Sequence, residues 1–304
     1  MFRDATPWLR RRRGRTVCAT SRTPTDDQER IDMQLESKIF VVTGGGNGIG
    51  REVVRGLLAR GSRVAALDLS EAGLQETAEL AGAGDRLTTH VVDITDRAAV
   101  LALPQQVVAV HEEVDGLVNV AGIIHDFKPV NELSFEAIER VMDVNFWGTV
   151  NTVKAFLPLL LERPAAAIVN VSSMGAYGPV PGQTAYGASK AAVRLLTEGL
   201  YAELMDTAVQ VTVVHPGGIA TSITDNSGAA MPEGVENMDD RRRAELEAKL
   251  TSPQEAARQI IEAIEKNRPR VRIGNDAKML DRMIRLMPSR GIGIIKKNME
   301  KMLG

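Results

Sequence analysis

The stretch Ile39-Phe40-Val41-Val42-Thr43, followed at once by Gly44-Gly45-Gly46-Asn47-Gly48-Ile49-Gly50, most narrows what this chain can fold into. A short unbroken apolar, β-branched run reads as a strand buried on both faces, the kind found in parallel sheets. A helical pattern then runs from Arg51 to Arg60 and stops at Gly61. Strand, glycine turn and helix together present bare backbone N–H groups at a helix N-terminus, where a pyrophosphate can be held. The glycines let the chain turn tightly and approach phosphates closely. Many tight strand-to-helix turns bind nothing, so other residues must decide.

The spacing is TGxxxGxG, at Thr43, Gly44, Gly48 and Gly50, and not the usual GxGxxG. A second strand, Arg63 to Asp68, ends on an acidic residue eighteen positions after Gly50. An acid there accepts hydrogen bonds from an adenosine ribose and repels a 2'-phosphate, which favours NAD over NADP. The other reading of Asp68 is an N-cap for the helix starting near Ser70 and Glu71. A third strand, Leu87 to Val92, ends in Asp93-Ile94-Thr95-Asp96, with Asp93 placed for an adenine edge and Asp96 for a helix cap. The fourth, Gly116 to Val120, runs into Ala121-Gly122, small residues that leave room for a flat ligand.

Strands alternating with helices predict one α/β domain built on a doubly wound parallel sheet, Rossmann-like. The 304 residues, 44% of them hydrophobic, suffice for such a core. The single cysteine, Cys18, excludes a disulfide framework, and histidines 90, 111, 125 and 215 show no ligand spacing, so no metal is expected. His125 reads as a surface residue or as one near the site entrance. No apolar run reaches eighteen residues, so no spanning helix is expected.

Tyr186 stands four residues before Lys190, one helical turn, which puts phenol and ammonium on one face. A cation near a phenol lowers its pKa from ~10 towards the range of a general acid or base. An isolated pair of this kind is otherwise an ordinary helix-face contact. Upstream lie Ser172 and Ser173; alternation along a strand lets only one of them face a site.

Taken together these residues closely resemble the classical short-chain dehydrogenase/reductase family over about residues 36 to 275. The resemblance rests on Thr43-Gly44-xxx-Gly48-x-Gly50, Asn119-Val120-Ala121-Gly122, Asn145, Ser173, Tyr186-xxx-Lys190 and Pro216-Gly217-Gly218-Ile219, in that order. It implies an oxidoreductase that moves a hydride between NAD(H) and a secondary alcohol or ketone. Ser173, thirteen residues before the tyrosine, would hold the substrate oxygen and Tyr186 would exchange the proton. Lys190 would bind the nicotinamide ribose and lower the tyrosine pKa, and Asn145 would hold a relay water. The implied cofactor set is Gly44, Asn47, Gly48, Ile49, Gly50 and Asp68 at one end, then Asp93, Ile94, Asn119, Ala121 and Gly122. Tyr186, Lys190, Pro216, Gly217, Ile219 and Thr221 complete it, with Ile219 and Thr221 at the carboxamide. Asn145 and Ser173 also admit purely structural readings. Two positions depart from the family pattern. Val120 replaces a common asparagine, and Gly218 replaces a larger residue, which suggests a looser cofactor-facing turn. Alternatives to the NAD enzyme are an NADP-dependent carbonyl reductase and a non-catalytic dinucleotide sensor or scaffold.

Charge is uneven along the chain. Residues 1 to 22 carry a net of +6 and residues 266 to 304 a net of +8, which leaves the body near -16. Such ends can meet an anionic surface, dock on the acidic body or stay solvated, and no nucleic-acid partner is expected. Residues 1–32, with Arg10 to Arg13, have no apolar periodicity and read as an extension; an organelle presequence shares that composition. Met33 fits a natural first residue, and a chain begun there is expected to keep full activity. Residues 33–275 read as the catalytic domain, with a substrate loop at 221–252 in which Met231 and Met238 offer apolar walls alongside Met174, Val180 and Pro181. Residues 276–304 form a basic, Met-rich amphipathic tail that either packs on its own domain or a partner subunit, or lies on a membrane surface. The expected location is cytoplasmic, with peripheral membrane contact as the variant. Helices near 133–163 and 183–206 offer faces for a homodimer or tetramer. The apolar loop and tail suggest a hydrophobic substrate, and the sequence does not name it.

Overall fold

The computed structural model describes residues 32–221, 223–230, 239, 241, 242, 244 and 248–303. The extension through residue 31, and Met231 and Met238 of the expected loop, lie outside the described residues.

Seven strands form one parallel sheet in the order β3-β2-β1-β4-β5-β6-β7. They are β1 (Ile39–Thr43), β2 (Arg63–Asp68), β3 (Leu87–Val91), β4 (Gly116–Asn119), β5 (Ala166–Val171), β6 (Val209–Pro216) and β7 (Arg270–Ile273). Between and after them run α1 (Gly48–Ala59), α2 (Glu71–Ala81), α3 (Arg97–His111), α4 (Phe135–Met142), α5 (Gly148–Leu161), α6 (Thr184–Glu203), α7 (Ile223–Ser227) and α8 (Pro253–Glu265). Two further helices, α9 (Asn275–Leu286) and α10 (Pro288–Leu303), end the chain. The strand order reverses between β1 and β4, and in such sheets ligands bind beyond the strand ends at that reversal.

All five residues of β1 are buried, because helices cover both faces of the sheet. Alternation sorts them: Phe40 and Val42 pack with Leu57, Ile260 and Ile264 beneath α1 and α8, while Val41 packs with Leu117, Val107 and Phe156 beneath α3 and α5. Removing a ring such as that of Phe40 would cost about 3–5 kcal/mol. Met33 and Leu35 join the α1–α8 layer, and the Met33 amide donates to the Glu265 carbonyl at 3.0 Å. Side-chain caps fix several helix starts: Ser70 accepts from Gly73 N, and Asp96 from Ala98 N and Ala99 N.

The tail forms two helices broken at Pro288. It packs on its own chain: a Cβ on Gly178 would lie 2.9 Å from Ile295, 3.1 Å from Leu280 and 3.3 Å from Ile284. Among the described residues no helix is long and apolar enough to cross a membrane.

Candidate active site

A cavity of about 670 Å³ opens beyond the ends of β1, β2 and β4. Its floor is the glycine turn. Gly44 has φ +72°, and a Cβ there would sit 2.9 Å from Ala121 N; one on Gly50 would sit 1.9 Å from the Gly44 carbonyl. Only glycine lets α1 start this close to the end of β1. Asn47 caps α1 in extended conformation without a side-chain bond. Gly48 faces Thr221 across the cavity, 3.3 Å from where its Cβ would be.

Asp68 closes the adjacent wall. Its Oδ2 accepts from Gly46 N at 2.9 Å and its Oδ1 from Ser70 N at 2.9 Å. The cap of α2 is Ser70, so Asp68 tethers the glycine turn to the end of β2. Arg51, in the first turn of α1, has its Nε donating to Thr77 Oγ1 at 3.0 Å and its Nη2 paired with Glu76. No cation is therefore directed from Arg51 at the Asp68 carboxylate. Asp93 and Ile94 line the cavity, and Asp93 Oδ1 is engaged by the Thr95 amide at 2.8 Å.

Ala121 and Gly122 form the far wall. Thr43 Oγ1 accepts from the amides of Val120 and Ala121, at 3.1 and 3.2 Å, and so binds the ends of β1 and β4 together. The Asn119 side chain turns inward, donating to Asn170 Oδ1 at 2.9 Å and accepting from Thr152 Oγ1 at 2.8 Å. It braces the sheet from within.

Helices α4 and α5 are joined by a π-helical turn, Asp143–Trp147, which carries Asn145. Such one-turn bulges recur at functional sites. Asn145 is fully buried. Its Oδ1 accepts from Ile123 N at 2.8 Å, and its Nδ2 donates to Ile123 O and to Ser189 Oγ, both at 2.9 Å. A Cβ on Gly122 would lie 2.9 Å from both Asn145 Oδ1 and Lys190 Nζ, so the two groups converge on that glycine.

The two serines divide as alternation requires. Ser172 Oγ donates to the Lys190 carbonyl at 2.7 Å and faces α6, whereas Ser173 is hydrogen-bonded to the Tyr186 side chain. Lys190 Nζ donates to the Val171 carbonyl at 3.1 Å and lies 5.9 Å from the centre of the Tyr186 ring. Burial pushes the ammonium down to about 8. The expectation of a lowered tyrosine pKa needs correcting for the protein by itself. Burial raises the phenol above its ordinary value, and the Ser173 hydrogen bond draws it only partly back. Desolvation of the phenolate outweighs a cation that stands beside the ring.

The turn after β6 is also better held than its sequence suggests. Gly217 N donates to Ile273 O at 2.8 Å, Gly218 N to Asp276 Oδ2 at 2.7 Å, and Ala220 N to Thr251 O at 3.0 Å. Ile219 forms a parallel bridge with Thr251. A Cβ on Gly218 would lie 2.7 Å from Leu250, so the glycine reflects crowding and the turn is tight, contrary to the looseness inferred above. His125 likewise differs from a surface residue. It is 5% exposed, with Nδ1 hydrogen-bonded to the Asp126 carbonyl at 2.6 Å, and its own carbonyl accepts from Gln183 Nε2 at 2.6 Å. Sequence reasoning missed Asp276, Ser189 and the bracing role of Thr43. Only Thr43, inside the glycine motif, carried a local signal.

The geometry has counterparts among known proteins. Residues 38–232 match the profile of the short chain dehydrogenase family. SadH of Mycobacterium tuberculosis, named an oxidoreductase, is 40% identical over 261 residues, covering 84% of this chain and 92% of its own length. The 3-oxoacyl-[acyl-carrier-protein] reductase FabG of Thermotoga maritima is 35% identical over 195 residues, 64% of this chain and 78% of that protein. A Burkholderia phymatum short chain dehydrogenase/reductase solved in complex with NAD superposes with a TM-score of 0.74 at 25% identity, covering 84% of this chain and 95% of that one. A Burkholderia cenocepacia short chain dehydrogenase in complex with NADP gives 0.69 at 27% identity, covering 87% and 99%. Profile, relatives and parallel-sheet topology agree: this chain belongs to the short chain dehydrogenase family, and is an oxidoreductase built on a dinucleotide-binding fold.

Proposed function

We propose that the protein transfers a hydride between NAD(H) and a secondary alcohol or ketone, with Tyr186 as the proton-handling group. The observation that supports this is that Asn145 and Lys190 converge on Gly122, which lines the cavity walled elsewhere by Asp68, with Tyr186 beside Lys190 and within reach of Ser173. The cavity fits a dinucleotide, because it is lined by the glycine turn at the start of α1, where bare backbone N–H groups can hold a pyrophosphate, and by Asp68, Asp93, Ile94, Ala121 and Gly122. A nicotinamide, when bound, supplies or accepts the hydride that no side chain can provide. The chain's own residues manage the rest. The Ser173 hydroxyl holds the substrate oxygen, and the Tyr186 phenol gives that oxygen a proton in reduction or takes one in oxidation. Lys190 supplies positive charge beneath the ring below pH ~8, and Asn145 fixes the Ile123 backbone and Ser189 around it.

Asp68 supports NAD over NADP, since a carboxylate already bound to Gly46 N repels a 2'-phosphate. Apolar residues of α9 and α10 against Gly178, between Ser173 and Tyr186, support a hydrophobic substrate. On this reading residues 33–275 are the catalytic domain and 276–304 an extension that walls its substrate end. The exposed apolar side chains Leu195 on α6, 71% exposed, Leu161 at the end of α5 and Met205 support self-association into a dimer or tetramer.

The test is a panel of alcohols and ketones followed by NADH and NADPH absorbance. Tyr186→Phe should lower turnover by about 10³-fold or more while leaving NADH binding intact. Normal turnover in that variant overturns the mechanism, and a preference for NADPH overturns the cofactor assignment.

A further inference from the structure

Helix α9 lies far from the glycine turn in sequence, yet its second residue holds the turn after β6, the turn that leads to Thr221 in the cavity wall. Asp276 Oδ2 accepts from Gly218 N at 2.7 Å and its Oδ1 from Ala277 N at 2.8 Å. Three glycines make room for this carboxylate. A Cβ on Gly217 would stand 2.0 Å from Asp276 Oδ1, one on Gly274 2.4 Å from it, and one on Gly218 3.6 Å from Oδ2. Any side chain at Gly217 or Gly274 would displace the acid. The turn it holds runs directly to Thr221, which lines the cavity opposite Gly48.

The same helix also grips the segment that follows Ser173. Asp281, 2% exposed, binds Arg272 and Arg285, each at 2.8 Å, and lies 3.9 Å from Arg270. Arg270 Nε donates to the Tyr177 hydroxyl at 3.1 Å, and the Tyr177 ring stacks on His215 at 4.3 Å. His215 Nδ1 in turn donates to the Ser173 carbonyl at 3.3 Å. Leu280 and Ile284 press on Gly178 from the same side. Two carboxylates on one helix thus fasten the turn after β6 and the segment after β5.

We propose that Asp276 is a positioning residue for the nicotinamide half of the cofactor, setting the Gly217–Thr221 turn from the C-terminal extension. The proposal rests on the cofactor reading above. Charged hydrogen bonds of this kind, removed, loosen what they hold by about tenfold in an equilibrium constant. The loss should fall on contacts made by the turn and spare those made by the glycine loop, which Asp68 holds independently.

The experiment compares full-length wild type, Asp276→Ala and Asp276→Asn for binding of NADH and of ADP-ribose by calorimetry, together with amide exchange across residues 214–221. We expect Asp276→Ala to weaken NADH about tenfold, leave ADP-ribose within about twofold, and speed exchange at Gly218. Asp276→Asn, which keeps one acceptor, should fall between, and it carries the same comparison if the alanine variant does not fold. Equal weakening of both ligands would reduce Asp276 to a general structural role. Unchanged NADH affinity would overturn the proposal whatever the exchange shows. Wild-type protein that binds neither ligand would instead sink the cofactor reading, a result visible before any variant is made.

Discussion

Two glycine turns, one after β1 and one after β6, each have a carboxylate that takes a glycine amide, and the two differ in where they come from. Asp68 reaches Gly46 N at 2.9 Å from the end of the neighbouring strand. Asp276 reaches Gly218 N at 2.7 Å from a helix beyond the last strand, 58 residues away in sequence. The turn after β1 is therefore held locally, by two consecutive βα units, while the turn after β6 depends on the C-terminal extension. The difference shows that a glycine-rich loop is only half explained by the freedom of its backbone. At Gly46 and Gly217 alike, a neighbouring acid occupies the volume a Cβ would need.

The contrast can be broken most sharply by acid. His215 sits under Ser173 at the Asp276 end, fully buried, and burial, aided by the Arg270 and Arg194 charges, pushes its pKa down to about 3. The unfolded chain takes up this proton near pH ~6.5 and the native chain only near 3, so stability is lost as pH falls between those values. Urea unfolding at pH 7 and pH 4 should show a loss of about 3 kcal/mol attributable to this residue, absent in His215→Leu. Equal acid sensitivity in wild type and variant would place the weak point elsewhere.

A smaller effect separates the two glycines. Gly217→Ala puts a Cβ 2.0 Å from a carboxylate oxygen, whereas Gly46→Ala puts one 2.9 Å from the Asp68 carboxylate. Thermal unfolding should show the first costing about 2 kcal/mol or more and the second about 1. The reverse order would mean that the Asp276 end yields more readily than the Asp68 end. Smallest is Asp68→Ala, expected to weaken both NADH and ADP-ribose by about tenfold, the mirror image of the Asp276 pattern. A loss confined to NADH would erase the distinction between the ends.

Much of the region around the glycine turn after β1 was legible because its signals are local. β1 and β2 begin and end where the apolar runs begin and end, and Asp68 follows the glycines at a spacing set by one helix and one strand. The two-residue period of a strand separates Ser173 from Ser172, and the two hydroxyls have different partners, the Lys190 carbonyl for Ser172 and the Tyr186 side chain for Ser173. The turn after β6 was harder to read. Asp276 hydrogen-bonds a backbone amide, and a backbone amide leaves no mark in a sequence; Gly218 then looked like slack where it marks crowding. The π turn at Asn145 has no periodicity of its own, being one turn inserted between two ordinary helices. His125 differs from a surface residue because its environment includes segments distant in sequence, such as Gln183, whose side chain donates to the His125 carbonyl.

A hydrogen bond between Gly218 and Asp276 transmits in both directions. Whatever ligand stiffens the turn must, by thermodynamic reciprocity, stabilise the start of α9 by the same free energy. The exposed lysines and arginines of α9 and α10 are trypsin sites, so the rate at which the last two helices are clipped becomes a gauge of occupancy at the far end of the groove. By the same coupling, a purification tag fused after Gly304 follows the helices that hold the turn after β6, and its removal belongs among the first controls on affinity.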